Sequence, residues 1–237
     1  MIKTMEEGFN NLKLPYSEDI ENKFVLYRDL LKEWNQKINI TSIEDDEEIY
    51  LKHFIDSVLL LNKDNMNENK KIIDVGTGGG FPGLPLKIIN DNFEVTLLDS
   101  LRKRIDFLKE VSNVLNLKNV KLIHGRAEDF GQNKEYRENY DICVSRAVAP
   151  LNVLSEYCIP FVKVGGYFAA YKSDNISQEI TNSDKAIREL GGKIKEIREI
   201  SIPGADIIRK IVIIEKIETT KAKYPRKAGK PSKDPLN

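Results

Sequence analysis

The chain has 237 residues, 41% of them hydrophobic, and its 37 Lys and Arg residues balance its 37 Asp and Glu residues. This length and apolar content are typical of a globular protein with a full core. No stretch has the roughly 18 apolar residues of a membrane span, and the amino terminus lacks the apolar region of a signal peptide, so we expect a cytoplasmic protein. Two cysteines and two histidines are too few for a disulfide framework or a zinc cluster, and we expect no metal.

The first part of the chain has helical periodicity. Apolar residues recur at helical spacing after Ser17, a predicted N-cap, and a second helix is expected over 45–61. A polar stretch over 62–71 separates this part from the next. We therefore predict an N-terminal helical cap over residues 1–66.

From residue 71 onward, short β-rich runs alternate with helical segments, which is typical of a mostly parallel sheet with helices on both faces. The predicted strands are KIIDV, EVTLLD, VKLIHG, DICVS, YFAAYK, KIKEIREISI and IIRKIVIIEK. The predicted helices cover about 82–90, 101–116, 150–159 and 176–190. The turn-forming PGAD joins the last two strands, so we expect them to pair antiparallel. The sequence thus predicts a doubly wound α/β domain with a seven-stranded sheet over residues 67–218.

A glycine-rich turn, VGTGGGFPG, follows the first strand, at the sheet edge where doubly wound folds bind ligands. A dinucleotide fingerprint would require glycine where Phe81 stands, and a P-loop would require Lys and Ser or Thr after Gly83. The carboxylate of Asp74, just before the turn, is unfavourable beside a phosphate but suits a ligand with cationic groups. S-adenosylmethionine, with its ammonium and sulfonium groups, is such a ligand.

Two later strand ends supply further candidate ligand contacts. Asp99 ends the second strand and could accept hydrogen bonds from both ribose hydroxyls, a device that NAD sites share. After the third strand, the backbone N–H of Ala127 could reach the adenine ring, and Glu128 could accept from its amino group. The series of glycine turn, Asp99 and Ala127–Glu128 at three successive strand ends favours an adenosine-containing ligand.

Positive charge collects at the C-terminus. Residues 221–237 contain six Lys and Arg against one Asp, a net charge of +5, which leaves −5 for residues 1–220. The prolines and glycine of this segment argue against a regular helix. We therefore expect residues 219–237 to form an extended basic arm that can reach a polyanion, with a solvated, disordered terminus as the alternative.

Seven segments between residue 34 and the C-terminus match the pattern of one family: WNQKINIT, HFIDS, DVGTGGGFPGLPL, LLDSLRKRIDFL, GRAEDF, SRAVAPL and KYPRKAGKPSKDPL. Together they resemble the glucose-inhibited division protein B family, the bacterial 16S ribosomal RNA guanine-N7 methyltransferases. The resemblance implies a Rossmann-like, class I S-adenosylmethionine-dependent methyltransferase fold and, as substrate, one guanine in the decoding region of the small subunit. The chain departs from the family at Ser173, where glycine is usual.

The candidate site residues fall into two groups. Cofactor-binding candidates, several of them implied by the resemblance, are Gly76, Gly78, Phe81, Asp99, Ala127, Glu128 and Arg146. Candidate RNA contacts are cations at strand ends and in the arm, namely Arg126, Arg146, Lys172, Lys223, Arg226 and Lys227. Phe81 and Tyr171 are candidates to stack on the target base, although such residues are more often part of a core. His53 is interpreted as a satisfied buried histidine rather than a catalytic one.

The motifs that the sequence lacks bear on the reaction. After the fourth strand the chain reads CVSRAVAP, not the Asn/Asp-Pro-Pro-aromatic loop that accompanies methylation of exocyclic amines. Neither Cys143 nor Cys158 follows a proline, as a nucleophile for pyrimidine carbon typically does. Guanine N7 has a free lone pair and no proton, so we expect direct in-line displacement without a general base or a covalent intermediate. We expect a monomer that acts on 16S RNA or the small subunit; an NAD-dependent reductase, a non-catalytic RNA-binding module and a small-molecule methyltransferase are the alternatives.

Overall fold

The structure is a computed structural model that describes residues 2–61, 69–173 and 176–236. The predicted boundary between the cap and the sheet, at residues 66 and 67, lies outside the described residues. In the described part, a helical N-terminal layer precedes a seven-stranded sheet flanked by helices.

The N-terminal layer contains four α-helices and one π-helical turn. These are α1 (Lys3–Asn11), α2 (Glu18–Ile38), α3 (Asp46–Ile49), the π-helix Tyr50–Ile55 and α4 (Asp56–Val58). The Ser17 side chain accepts a hydrogen bond from the Ile20 N–H at 3.3 Å, which confirms the predicted N-cap. The helix predicted over 45–61 is present, but its middle turn is wound as a π-helix, and α1 was not predicted.

The sheet has the predicted number of strands. They are β1 (Lys71–Val75), β2 (Glu94–Asp99), β3 (Val120–His124), β4 (Tyr140–Arg146), β5 (Val162–Lys172), β6 (Gly192–Ser201) and β7 (Ile208–Lys216). Their order is β3-β2-β1-β4-β5-β7-β6, and β1 pairs in parallel with both β2 and β4. β7 pairs antiparallel with β5 and β6, as expected for the last two strands. The order reverses between β1 and β4, so the carboxyl ends of these strands form the crevice where such sheets bind ligands.

Of the remaining α-helices described, five connect successive strands and the last lies in the C-terminal segment after β7. They are α5 (Gly83–Ile89), α6 (Arg102–Val114), α7 (Ala127–Gln132), α8 (Leu151–Cys158), α9 (Ser177–Glu189) and α10 (Lys230–Lys233). The four predicted helices in this part of the chain agree with α5, α6, α8 and α9 to within about two residues. The short helices α7 and α10 were not predicted, because six and four residues are too few to show a helical period.

Two apolar clusters lie on opposite faces of the sheet. Along β1, Ile72 belongs to one cluster and Ile73 to the other, as the alternation of a strand requires. The N-terminal helices share the Ile72 cluster with α5 and α6, whereas α8 and α9 pack on the Ile73 side. The N-terminal layer and the sheet therefore share one core.

Tyr27 joins the N-terminal layer to the glycine turn. The side chain is fully buried on α2, and its hydroxyl donates a hydrogen bond to the carbonyl oxygen of Gly79. Its ring stacks on Phe81 with a centroid distance of 5.5 Å. A Cβ at Gly80, where φ is +94°, would meet the Tyr27 hydroxyl at 2.3 Å, so glycine permits this close approach.

Replacing Tyr27 by Phe should destabilise the protein by about 1–3 kcal/mol, because the buried carbonyl of Gly79 would lose its donor. Urea unfolding measures the change. Tyr16→Phe is the matched control: its half-buried hydroxyl donates to Glu21, a carboxylate that water can solvate in the variant, so a smaller change is expected. An unaltered free energy of unfolding for Tyr27→Phe would contradict the assigned role.

Candidate active site

The glycine turn after β1 is held against β2 by its backbone. The N–H groups of Gly76 and Thr77 donate to the carbonyl oxygen of Leu98, at 2.8 and 3.2 Å. Gly76 and Gly78 have φ values of +70° and +59°, which favour glycine. A Cβ at Gly76 would meet Cγ2 of Val148 at 2.6 Å. The turn therefore leaves bare backbone at the crevice between β1 and β4.

Asp74 supports this turn from inside. Its side chain is fully buried, and Oδ2 accepts hydrogen bonds from Thr77 Oγ1 at 2.7 Å and from the Gly83 N–H at 2.8 Å. Oδ1 has no hydrogen-bond partner among the described residues. Burial raises the pKa of Asp74 to about 7 despite these donors. The interpretation that this carboxylate meets a cationic ligand is therefore wrong, since it binds the turn itself.

Asp99 ends β2 beside the turn. Its Oδ1 accepts from the Leu101 N–H at 2.8 Å, and its Oδ2 accepts from the Gly78 N–H at 2.9 Å. Arg104, in the first turn of α6, approaches Oδ2 with Nη1 at 3.4 Å. Asp99 is largely buried, so these donors supply its oxygens with hydrogen bonds that water does not.

A cavity of about 160 Å³ brings Asp99 together with the predicted pair Ala127 and Glu128. The pair begins α7, directly after β3, with Arg126 exposed at the N-cap position. Glu128 is buried, and its Oε1 accepts a hydrogen bond from the Gly229 N–H at 2.8 Å. The structure thus places the residues proposed for ribose and adenine in one small pocket, which we call the inner cavity.

A second cavity, of about 380 Å³, adjoins the inner cavity at Gly76, Asp99 and Val148. We call it the middle cavity. Its walls include the glycine turn, with Gly78 and Phe81, and Arg146. The cofactor candidates predicted from the sequence therefore line the two adjoining cavities, and their binding roles stay predictions.

Phe81 is part of a stack of rings. Tyr27 covers one side at 5.5 Å between centroids, and His53 lies nearly parallel to it at 4.6 Å. Tyr171 is 2% exposed, and its hydroxyl donates to the Ser57 carbonyl at 2.7 Å. Neither ring is free to stack on a base, so the structure confirms the reading of both as core residues.

The third and largest cavity, about 620 Å³, opens beyond Arg146 at the ends of β4 and β5, and we call it the outer cleft. Arg146 Nη1 donates to Asp56 Oδ2 at 2.8 Å and to the Lys52 carbonyl at 3.1 Å. Lys172 Nζ donates to the Ala149 carbonyl at 2.8 Å and to Glu179 Oε1 at 2.5 Å. Both predicted cations thus lie at the cleft, and both are held by carboxylates.

Two cleft residues were missed as site candidates. Asp56 was noted only within HFIDS, and Arg209 only within the last strand. Arg209 Nε donates to Asp56 Oδ1 at 2.8 Å, so one carboxylate joins Arg209 and Arg146. The adjacent cations Arg209 and Lys210 near the start of the run IIRKIVIIEK are the signal that could have identified Arg209.

His53 lies between the middle cavity and the outer cleft. Arg146 Nη2 is 3.3 Å from Nδ1, and because arginine can only donate, Nδ1 is the acceptor. Nε2 then carries the proton and lies 2.8 Å from Thr41 Oγ1. Burial and the Arg146 charge lower the pKa of His53 to about 3. The ring is therefore neutral and satisfied, as the sequence suggested, although it is only half-buried.

The C-terminal segment is folded back on the protein, so the expected extended arm is wrong. Arg226 forms a bidentate ion pair with Glu156 of α8, with Nη2 to Oε2 at 2.7 Å and Nε to Oε1 at 2.9 Å. Glu156 is 1% exposed and needs this cation. Arg226 is thus engaged internally and is not free to bind RNA, whereas Lys223 and Lys227 are exposed.

The described residues lack two kinds of feature, a metal-binding cluster and a membrane-spanning helix. They contain no group of His, Cys, Asp and Glu residues that could hold a metal ion. None of the helices described is both long and apolar enough to cross a membrane.

Comparisons with known proteins agree with this geometry. The model of the GidB family, described as rRNA small subunit methyltransferase G, matches residues 20–209. A ribosomal RNA small subunit methyltransferase G of Clostridium perfringens (strain 13 / Type A) is 54% identical over 232 residues, 98% of this chain and 97% of that protein.

Two solved structures share the fold. A SAM-dependent methyltransferase from Aquifex aeolicus is similar with a TM-score of 0.53 and 18% identity, covering 74% of this chain and 96% of that one. TYW2 of M. jannaschii, in complex with AdoMet, has a TM-score of 0.50 and 19% identity, covering 64% and 71% of the two chains. The fold is the Rossmann-like class I methyltransferase fold that was expected.

Asp74→Asn should change how stability depends on pH. The native carboxyl has a pKa of about 7, against 3.8 ordinarily, so between these values the native state holds a proton that the unfolded state has released. Its stabilising contribution is full below pH 3.8 and is lost as the pH rises through 7. Asparagine does not titrate, so the stability of the variant relative to the parent should increase as the pH rises from about 5 to about 8.

Urea unfolding across this pH range measures the difference between the two proteins. Asp106→Asn, at an exposed carboxylate of α6, is the control and should not reproduce the pH-dependent gain expected for Asp74→Asn. A pH-independent difference for Asp74→Asn would contradict the raised pKa.

Deleting residues 229–237 should weaken S-adenosylmethionine binding by about three- to tenfold, because Glu128 would lose the Gly229 N–H that holds it. The Arg226–Glu156 pair remains in this variant, so the protein should stay folded. Calorimetric titration with the cofactor measures the affinity. Lys227→Ala, which alters an exposed side chain of the same segment, should leave the affinity unchanged. Equal affinity for the truncated and full-length chains would show that Gly229 does not position Glu128.

Proposed function

Since this chain belongs to the rRNA small subunit methyltransferase G family, we propose that it methylates N7 of one guanine in 16S ribosomal RNA by direct in-line displacement. S-adenosylmethionine is the methyl donor of such enzymes. The observation that carries the proposal is the row of three adjoining cavities at the strand ends, which can take adenosine, methionine and a nucleobase in turn.

The inner cavity suits the adenosine half of the donor. In this proposal Asp99 accepts from the ribose hydroxyls, and Ala127 and Glu128 contact the adenine ring. Their common position in the lining of this cavity supports the assignment. The bare backbone from Gly76 to Gly78 lets the methionine half lie close to β1 in the middle cavity. In this arrangement the sulfonium lies toward Arg146 and the outer cleft.

The transfer needs no proton acceptor. The N7 lone pair attacks the methyl carbon while the bond from carbon to sulfur breaks, giving 7-methylguanine and S-adenosylhomocysteine. N7 loses no proton, and His53 is unsuited to take one because Arg146 occupies its free nitrogen. Orientation is then the main contribution of the enzyme, which in favourable systems amounts to about 7–11 kcal/mol.

The outer cleft is the proposed site of the target guanine. N7 lies in the narrow groove of an A-form helix, so the base must come from a loop or be splayed out of its stack. Because Phe81 and Tyr171 are covered, the base must be fixed by polar groups at its edge, among them Arg146 and Lys172. In this proposal the RNA backbone is attracted by Arg126, Lys223 and Lys227, and the exposure of all three supports that role.

The partner is 16S RNA or the small subunit that contains it, which places the reaction in the cytoplasm. The monomeric state expected from the sequence stays a prediction.

Incubation with methyl-labelled S-adenosylmethionine and 16S RNA or small subunits tests the function. Label should appear at N7 of a single guanine, identified by chemical cleavage at 7-methylguanine. Asp99→Asn should lower cofactor affinity about tenfold or more, because a charged acceptor of the ribose hydroxyls is lost. Glu94→Gln, at the exposed start of the same strand, should bind normally. Cofactor binding without transfer to either RNA would overturn the proposal in favour of a binding module.

A further inference from the structure

Asp56 is the most buried charge of the outer cleft and stands between its two arginines. Its side chain is 1% exposed, and each of its oxygens holds one guanidinium at 2.8 Å. It reaches this position at the end of the π-helix Tyr50–Ile55, and such helical turns often occur at functional sites. The N-terminal layer therefore supplies the carboxylate, whereas β4 and β7 supply the cations.

The arginines are held differently. Arg146 donates to Asp56, Lys52 and His53, and its guanidinium lies 5.2 Å from the centre of the Phe81 ring. Arg209 uses only Nε for Asp56, and its Nη groups donate no hydrogen bond to any described residue. Arg209 thus has donors left for a ligand in the cleft. Asp56, Arg146 and Arg209 together carry a net charge of +1, and the neutral His53 adds no charge.

The proposed reaction moves a positive charge toward these groups. Before transfer the charge is on the sulfur of the donor; afterwards it is on the methylated guanine. Two guanidinium groups beside the base would repel the positive charge that forms on it. A carboxylate fixed between these groups reduces the repulsion. The remaining charge of +1 still attracts RNA phosphate.

We propose that Asp56 is a positioning residue that fixes Arg146 and Arg209 for the guanine edge and offsets their charge, so that the base can become cationic. This inference rests on the proposed function. It predicts that charge changes in this cluster alter the relative affinity for methylated and unmethylated RNA. A role in folding alone would alter both affinities together or neither.

Two substitutions change the cluster charge in opposite directions. Asp56→Asn keeps the side-chain shape and raises the charge from +1 to +2, so methylated RNA should lose about tenfold in affinity relative to unmethylated RNA, and kcat should fall more than KM rises. Arg209→Gln lowers the charge to 0, so methylated RNA should gain in relative affinity. Arg209 is partly exposed, so this variant keeps the inference testable even where Asp56→Asn fails to fold.

The measurement uses the full-length chain with S-adenosylhomocysteine, which prevents turnover, and 16S RNA before and after complete methylation by the parent enzyme. Asp141→Asn is the matched control. Asp141 pairs with Lys163 at the opposite end of β4 from Arg146, so its loss should leave the ratio of affinities unchanged.

The inference is supported if Asp56→Asn and Arg209→Gln shift the ratio of affinities for methylated and unmethylated RNA in opposite directions. If only Arg209→Gln can be measured, an unchanged ratio, or one shifted against methylated RNA, overturns the inference. Failure of the parent enzyme to form 7-methylguanine instead refutes the proposed function, so the two failures are distinguishable.

Discussion

The shape of the glycine turn after β1 is the constraint on which the rest of the site depends. Three side chains hold its backbone from different directions: Tyr27 from the N-terminal layer, Asp74 from beneath and Asp99 from β2. The turn can therefore leave its upper surface bare for a ligand without losing its conformation. This explains why carboxylates surround a segment that has so few side chains of its own.

The sequence predicted best those features that depend on local pattern. The alternation of strands and helices predicted a mostly parallel sheet of seven strands. Asp99 and Glu128 were identified because acids at successive strand ends must lie near each other. The roles of Asp74 and Arg226 were misread, since each depends on a partner that spacing alone does not reveal. For Asp74 the partner is the turn backbone; for Arg226 it is Glu156, 70 positions earlier.

The outer cleft also depends on contacts between residues that are far apart in the sequence, which spacing alone does not reveal. Asp56 and Arg209 are 153 positions apart, and only the packing of the N-terminal layer beside β7 brings them together. The layer was predicted as a cap, but it also contributes His53 and Asp56 to the cleft walls. Sequence patterns identify such a layer through its apolar periodicity, which says nothing about the polar side chains that point toward its neighbour.

The inner cavity proposed for adenine contains Glu128, whose hydrogen-bond donor Gly229 is synthesised 101 residues later. Translation proceeds from the amino end, so the sheet and its strand-end acids exist before the segment that braces them. A nascent chain that stops before Gly229 therefore lacks the donor to Glu128 and should bind the cofactor more weakly than the longer chain.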